Sequence, residues 1–237
     1  MISLRRVFIM AEMHGRDLTR RHVSLFLLVL LPLCFYLASM SSRGAGPLIA
    51  GGIGMAFSVS GATLFSVLSS EEVDQRLVLG GYRPPELLLG RVMFLAPLGL
   101  LIGAGFSVLM ALVSEPHRPW VMAAGVSAVA LQSIPFGLAV GAAVNRELEG
   151  TLLLIGVVGM QLATSPTSLV AKFLPFYGPA QLLETSVHAN GPVLVPVLQT
   201  LAYGVALLIA ARVFITRRVQ VSRHARYSGS SIDHTPL

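Results

Sequence analysis

Long apolar runs, separated by short clusters of charge, set the pattern of this chain. Runs at 23–40, 47–68, 92–113, 120–144 and 192–215 carry no acidic or basic side chain, apart from Arg212 near the end of the last. At about 1.5 Å per residue, each is long enough to cross a hydrocarbon core of about 30 Å. Backbone polar groups in that core need partners within the chain, so the pattern predicts helices. Pro32, Pro97, Pro135 and Pro196 fall inside these runs, where neighbouring helices can re-satisfy freed carbonyls.

A sixth run, 151–163, is shorter and meets Ser165-Pro166 at once. It reaches only about 20 Å, so its helix either ends early or continues through Pro166 to about Val170. The stretch that follows, TSPTSLVAKFLPFYGPAQLLETSVHANGP, alternates short apolar pieces with proline and glycine. That alternation predicts one or two short helices dipping into the outer half of the membrane, covered by neighbouring protein. Near the N-terminus, Leu4, Val7, Phe8 and Ala11 share one helical face, which Arg5, Glu12 and Arg16 avoid. An interfacial amphipathic helix is the expectation there; the segment is too long and too mixed in charge for a signal-peptide n-region.

The fold class predicted is therefore an all-α integral membrane protein. It has six transmembrane helices, an N-terminal interfacial helix and a re-entrant segment between the fifth and sixth spans. One transmembrane domain covers 1–220, and a polar tail, 221–237, is predicted to be disordered.

Composition agrees: 54% of the 237 residues are hydrophobic and 12% charged, about half the charged share of a soluble domain. The net charge of +6 comes almost wholly from arginine, Lys172 being the single lysine. A basic balance can point to nucleic acid, but these arginines stand beside apolar runs, as membrane topology and anionic headgroups place them. With six spans, all but Arg43, Arg118 and Lys172 of the 17 basic residues fall on one side. The positive-inside rule then puts both termini and the loop 69–92 in the cytoplasm of a multi-pass protein of the cell's inner (plasma) membrane. No nucleic-acid partner is expected.

Candidate chemistry is sparse. The chain has no G-x-x-x-x-G-K-[ST] loop, no H-E-x-x-H and no clustered metal-ligand spacing. Ser58, Ser60, Ser66, Ser107, Ser127 and Ser133 lie in the runs without an acid, histidine or lysine beside them to act as base, so membrane hydrolysis is disfavoured. The same absence disfavours ion-coupled transport, which needs ionisable groups within the membrane. Gln132, Gln161 and Gln199, one in each of the last three spans, can bond across helices or line a route for an amphipathic substrate. Gly99-x-x-x-Gly103 and Gly137-x-x-x-Gly141 are patterns that let helices approach closely.

The loop 69–92, SSEEVDQRLVLGGYRPPELLLGRV, is the exception to an otherwise uncharged interior. Residues 71–79 suit a short amphipathic helix that Gly80-Gly81 ends. Pro84-Pro85 restarts a helix, with Glu86 in its first turn, that runs on into the third span.

This loop, from Glu71-Glu72 through Leu77 to Gly81-Tyr82-Arg83-Pro84-Pro85-Glu86-Leu87-Leu88-Leu89-Gly90-Arg91, resembles that of the ABC-2 family of transporter permeases, the membrane subunits of type V ABC transporters. The N-terminal helix resembles the family's connecting helix, and Phe173-Leu174-Pro175 to Tyr177-Gly178-Pro179-Ala180 its external re-entrant helices. The resemblance implies a permease subunit of an ATP-driven exporter, moving a lipid, drug or other amphipathic substrate. It implies no ATPase site in this chain, with ATP and Mg bound by separate ABC ATPase subunits. A second permease copy, or a similar permease chain, and membrane lipids would be the other partners. Coupling to the ATPase would fall to Glu71, Glu72, Arg76, Leu77, Tyr82 and Arg83. The alternative is a non-transporting membrane anchor or assembly factor for a cytoplasmic partner.

Overall fold

A computed structural model describes residues 4–19, 22–144, 146–164 and 168–229. Among these, all regular structure is helical: α1 (Leu4–Thr19), α2 (His22–Ala38), α3 (Gly46–Ser69), α4 (Glu71–Leu79), α5 (Pro84–Ser114), α6 (Pro119–Ala143), α7 (Glu147–Ala163), α8 (Leu169–Lys172), α9 (Tyr177–Ser186) and α10 (Leu194–Gly229). Four of them, α3, α5, α6 and the Leu194–Arg217 part of α10, are long and apolar enough to cross a membrane. The chain is an all-helical, membrane-embedded protein. At 17 residues each, α2 and α7 reach only about 26 Å. Helix α7 begins ahead of its apolar run because Glu147 and Glu149 stabilise its first turn. The expectation about Pro166 lies outside the described residues.

Two helices form the centre. In the span of α3, 67% of the residues are buried, and in α6, 72%; for α5 and α10 the shares are 28% and 11%. Small residues make that centre possible. A Cβ on Gly137 of α6 would collide with the carbonyl oxygen of Ser60 on α3, so the backbones touch there. Gly141, one turn on, faces Val67 and the Leu64 carbonyl. Gly99 and Gly103 of α5 pack at ordinary distance on Val126 and Ala130 of α6. Both small-residue patterns are thus helix contacts.

Hydroxyls inside these helices are largely spent on their own backbone. Thr63 donates to the Val59 carbonyl (2.7 Å), Ser107 to Gly103 (2.7 Å), Ser133 to Val129 (2.6 Å), and Ser60 to Ala56. Each of these four hydroxyl protons is thus committed within its own helix.

At one end of the bundle gather α1, α4, the first turns of α5 and the start of α7. Helices α8 and α9 occupy the other end, with Gly52 of α3 and Gly125 of α6 fitted against Leu183. The one or two short helices expected in the stretch after 163 are these two.

Candidate docking site at the charged end

Helix α4 stops where its glycines allow. The Tyr82 amide donates to the Leu77 carbonyl (3.0 Å), the Gly81 amide to Val78 (3.1 Å), and Gly81 takes φ 90°. This is a Schellman ending, and Leu77 and Tyr82, the residues at its two apolar positions, each pack against the cluster of Met10, Val78 and Leu87. Helix α5 then starts on Pro84, with Arg83 as N-cap and the Glu86 carboxylate accepting from the Arg83 amide at 3.0 Å.

Charge around this corner divides into an inner and an outer set. Within, the Arg91 side chain is 1% exposed, and its Nη2 lies 2.6 Å from Asp74 Oδ2, whose side chain is 15% exposed. The same nitrogen donates to Ser70 Oγ, which in turn donates to the Ser66 carbonyl at 2.6 Å. Arg6 of α1 donates to the Gly81 carbonyl (2.7 Å), stands 3.8 Å from Glu86 Oε2 and lies over the Tyr82 ring at 5.1 Å. Gly90 admits α1 closely: a Cβ there would meet Met10 Cβ at 2.6 Å and the Val7 carbonyl at 3.3 Å. The apolar face of α1 is therefore seated on α5 through Val7, Met10 and Ala11, while Phe8 projects outward.

The outer set is Glu72, Arg76 and Arg83, all exposed, together with Val73 and Leu79. Glu72, Arg76 and Leu79 recur at helical spacing on one face of α4. Of the six residues the resemblance assigned to coupling, Glu72, Arg76 and Arg83 lie on this surface. Leu77 and Tyr82 are half-buried in the small core beneath it, and the Glu71 side chain lies outside the described residues. Arg6, Asp74, Glu86 and Arg91, which hold the surface in place, were not among them. Spacing offered a partial signal, because Ser70, Asp74 and Val78 form one stripe of α4 and its cap, opposite the outer face.

The three glutamines do not bond one another. Gln132 Nε2 donates to the Pro175 carbonyl (2.8 Å), and Gln199 Nε2 to the Lys172 carbonyl (3.1 Å), which Tyr203 also reaches at 3.2 Å. Both thus cover carbonyls that the short helices α8 and α9 leave free. Gln161 is buried on α7, its Oε1 without a partner among the described residues. Among the described residues, no group of three or more His, Cys, Asp or Glu could hold a metal ion. Compared with protein-family models and with curated proteins, the chain matches none.

Proposed function

We propose that this chain is the membrane permease subunit of an ATP-driven ABC exporter, with ATP and Mg held by a separate ATPase subunit. In this reading the six apolar runs cross the inner membrane, the α8–α9 segment is re-entrant, and both termini and α4 face the cytoplasm. The observation that carries the proposal is the outer face of α4. Glu72, Arg76 and Arg83 with Val73 and Leu79 form a mixed polar and apolar surface, on a helix fixed to a membrane span. Such a surface suits a transient, charge-steered interface. A lipid, drug or other amphipathic molecule is the substrate class, consistent with five clear apolar runs that carry no charge apart from Arg212 near the end of the last.

The test is recovery of partners from native membranes in lipid nanodiscs, followed by ATP-dependent movement of a fluorescent phospholipid in reconstituted vesicles. An ATPase subunit should co-purify, and Glu72→Ala with Arg76→Ala should abolish stimulated ATP hydrolysis while the protein still inserts. Recovery of no ATPase, with transport indifferent to ATP depletion, would sink the proposal and leave the anchor reading.

A further inference from the structure

Helices α4 and α5 are joined by Gly80, Gly81, Tyr82 and Arg83, a turn closed by backbone hydrogen bonds and set on the small core of Met10, Val78 and Leu87, in which the two glycines are the most permissive links. A second attachment bypasses that turn. Arg91 lies about two turns inside α5, and from there its guanidinium reaches Asp74 in the middle of α4 and Ser70 at the end of α3. The guanidinium is almost wholly withdrawn from water and the carboxylate largely so, where a charge-assisted hydrogen bond is short and strong. A buried ion pair is weak evidence for stability, and its better-attested use is to fix one arrangement among several.

We infer that Arg91 and Asp74 are positioning residues that make α4 and the span α5 a single lever, so that a push on the outer face of α4 reaches the membrane helix instead of being absorbed in the glycine turn. As a route for energy this rests on the exporter reading; as a statement about rigidity it does not.

The experiment measures rigidity first. Spin labels are placed at Leu79→Cys and Leu101→Cys, both exposed positions, in a Cys34→Ser background, with the full chain in lipid nanodiscs. The distance distribution should be narrow in the parent. It should broaden in Arg91→Gln and in Asp74→Asn, and narrow again in the charge swap Asp74→Arg with Arg91→Asp. Asp74→Asn serves if Arg91→Gln does not fold. A pair that only adds stability would lower the thermal midpoint and leave the width of the folded fraction unchanged, which overturns the inference. A second arm uses membranes that co-express an ABC ATPase subunit. There Arg91→Gln should keep the ATPase bound and lose the stimulation of hydrolysis; equal loss of both overturns the lever as a route of coupling. Failure of the parent itself to bind the ATPase counts against the exporter reading and leaves the spin-label result standing.

Discussion

The two ends of the bundle face one problem and solve it with different chemistry. Each carries short helices that do not cross the bundle and whose backbone ends need partners. At the charged end, α4 and its turn are held by guanidinium groups: Arg91 on Asp74 and Ser70, Arg6 on the Gly81 carbonyl and Glu86. At the opposite end, α8 and α9 are held mainly by neutral donors, Gln132 on the Pro175 carbonyl and Gln199 and Tyr203 on that of Lys172, while the Arg118 side chain donates only to the exposed Gly191 carbonyl beyond α9. A charge at mid-membrane costs about 2.5–3.5 kcal/mol on insertion scales, whereas an amide bond between helices asks far less.

The largest expected effect comes from breaking the buried pair. Arg91→Ala should lower stability by about 3 kcal/mol, because it leaves a mostly buried carboxylate with its strongest partner gone. Replacing both Arg91 and Asp74 by leucine should recover most of that loss in reversible unfolding in bicelles. Recovery of none would mean that the pair, rather than packing, dominates this corner. Gln132→Leu at the other end should cost about 1 kcal/mol, measured in the same assay, with no dependence on salt. The sharper contrast is Arg6→Gln. Its side chain is 43% exposed, so its cost of about 0.5–1 kcal/mol should shrink as salt rises to 1 M. If Gln132→Leu and Arg6→Gln respond alike to salt, the distinction between the ends fails. Smallest is Gln199→Leu, at about 0.5 kcal/mol, because Tyr203 also donates to the Lys172 carbonyl. The double change with Tyr203→Phe should then cost more than the two single changes together.

Local signals were readable from the chain. Gly80-Gly81 announced the end of α4, Pro84-Pro85 the start of α5, and the proline-interrupted stretch after 163 became the two short helices α8 and α9. Partners were much less readable. Periodicity shows that Val7 and Ala11 share a face, but both lipid and protein can cover an apolar face, and here α5 covers it. The same ambiguity hid the roles of Leu77 and Tyr82, apolar or aromatic positions in a charged loop that turn inward to a small core. Gln132 and Gln199 were recognisable as polar residues in need of partners. Their acceptors are backbone carbonyls, which every residue possesses, so composition could not single them out. Arg91 and Asp74 stand 17 positions apart, and only the fold back from α4 to α5 brings them together.

The contact between Gly137 and Ser60 also bears on how the protein is made. Helices α3 and α6 are the more buried of the four long spans and the less apolar, while α5 and α10 combine the greatest exposure with the greatest hydropathy. During synthesis α3 leaves the ribosome well before α6, and α5 emerges between them. Helix α3 is therefore synthesised before α6, one of its two main packing partners, exists. It waits beside α2, whose Pro32 already lies against Gly54, until α6 arrives to complete the pair.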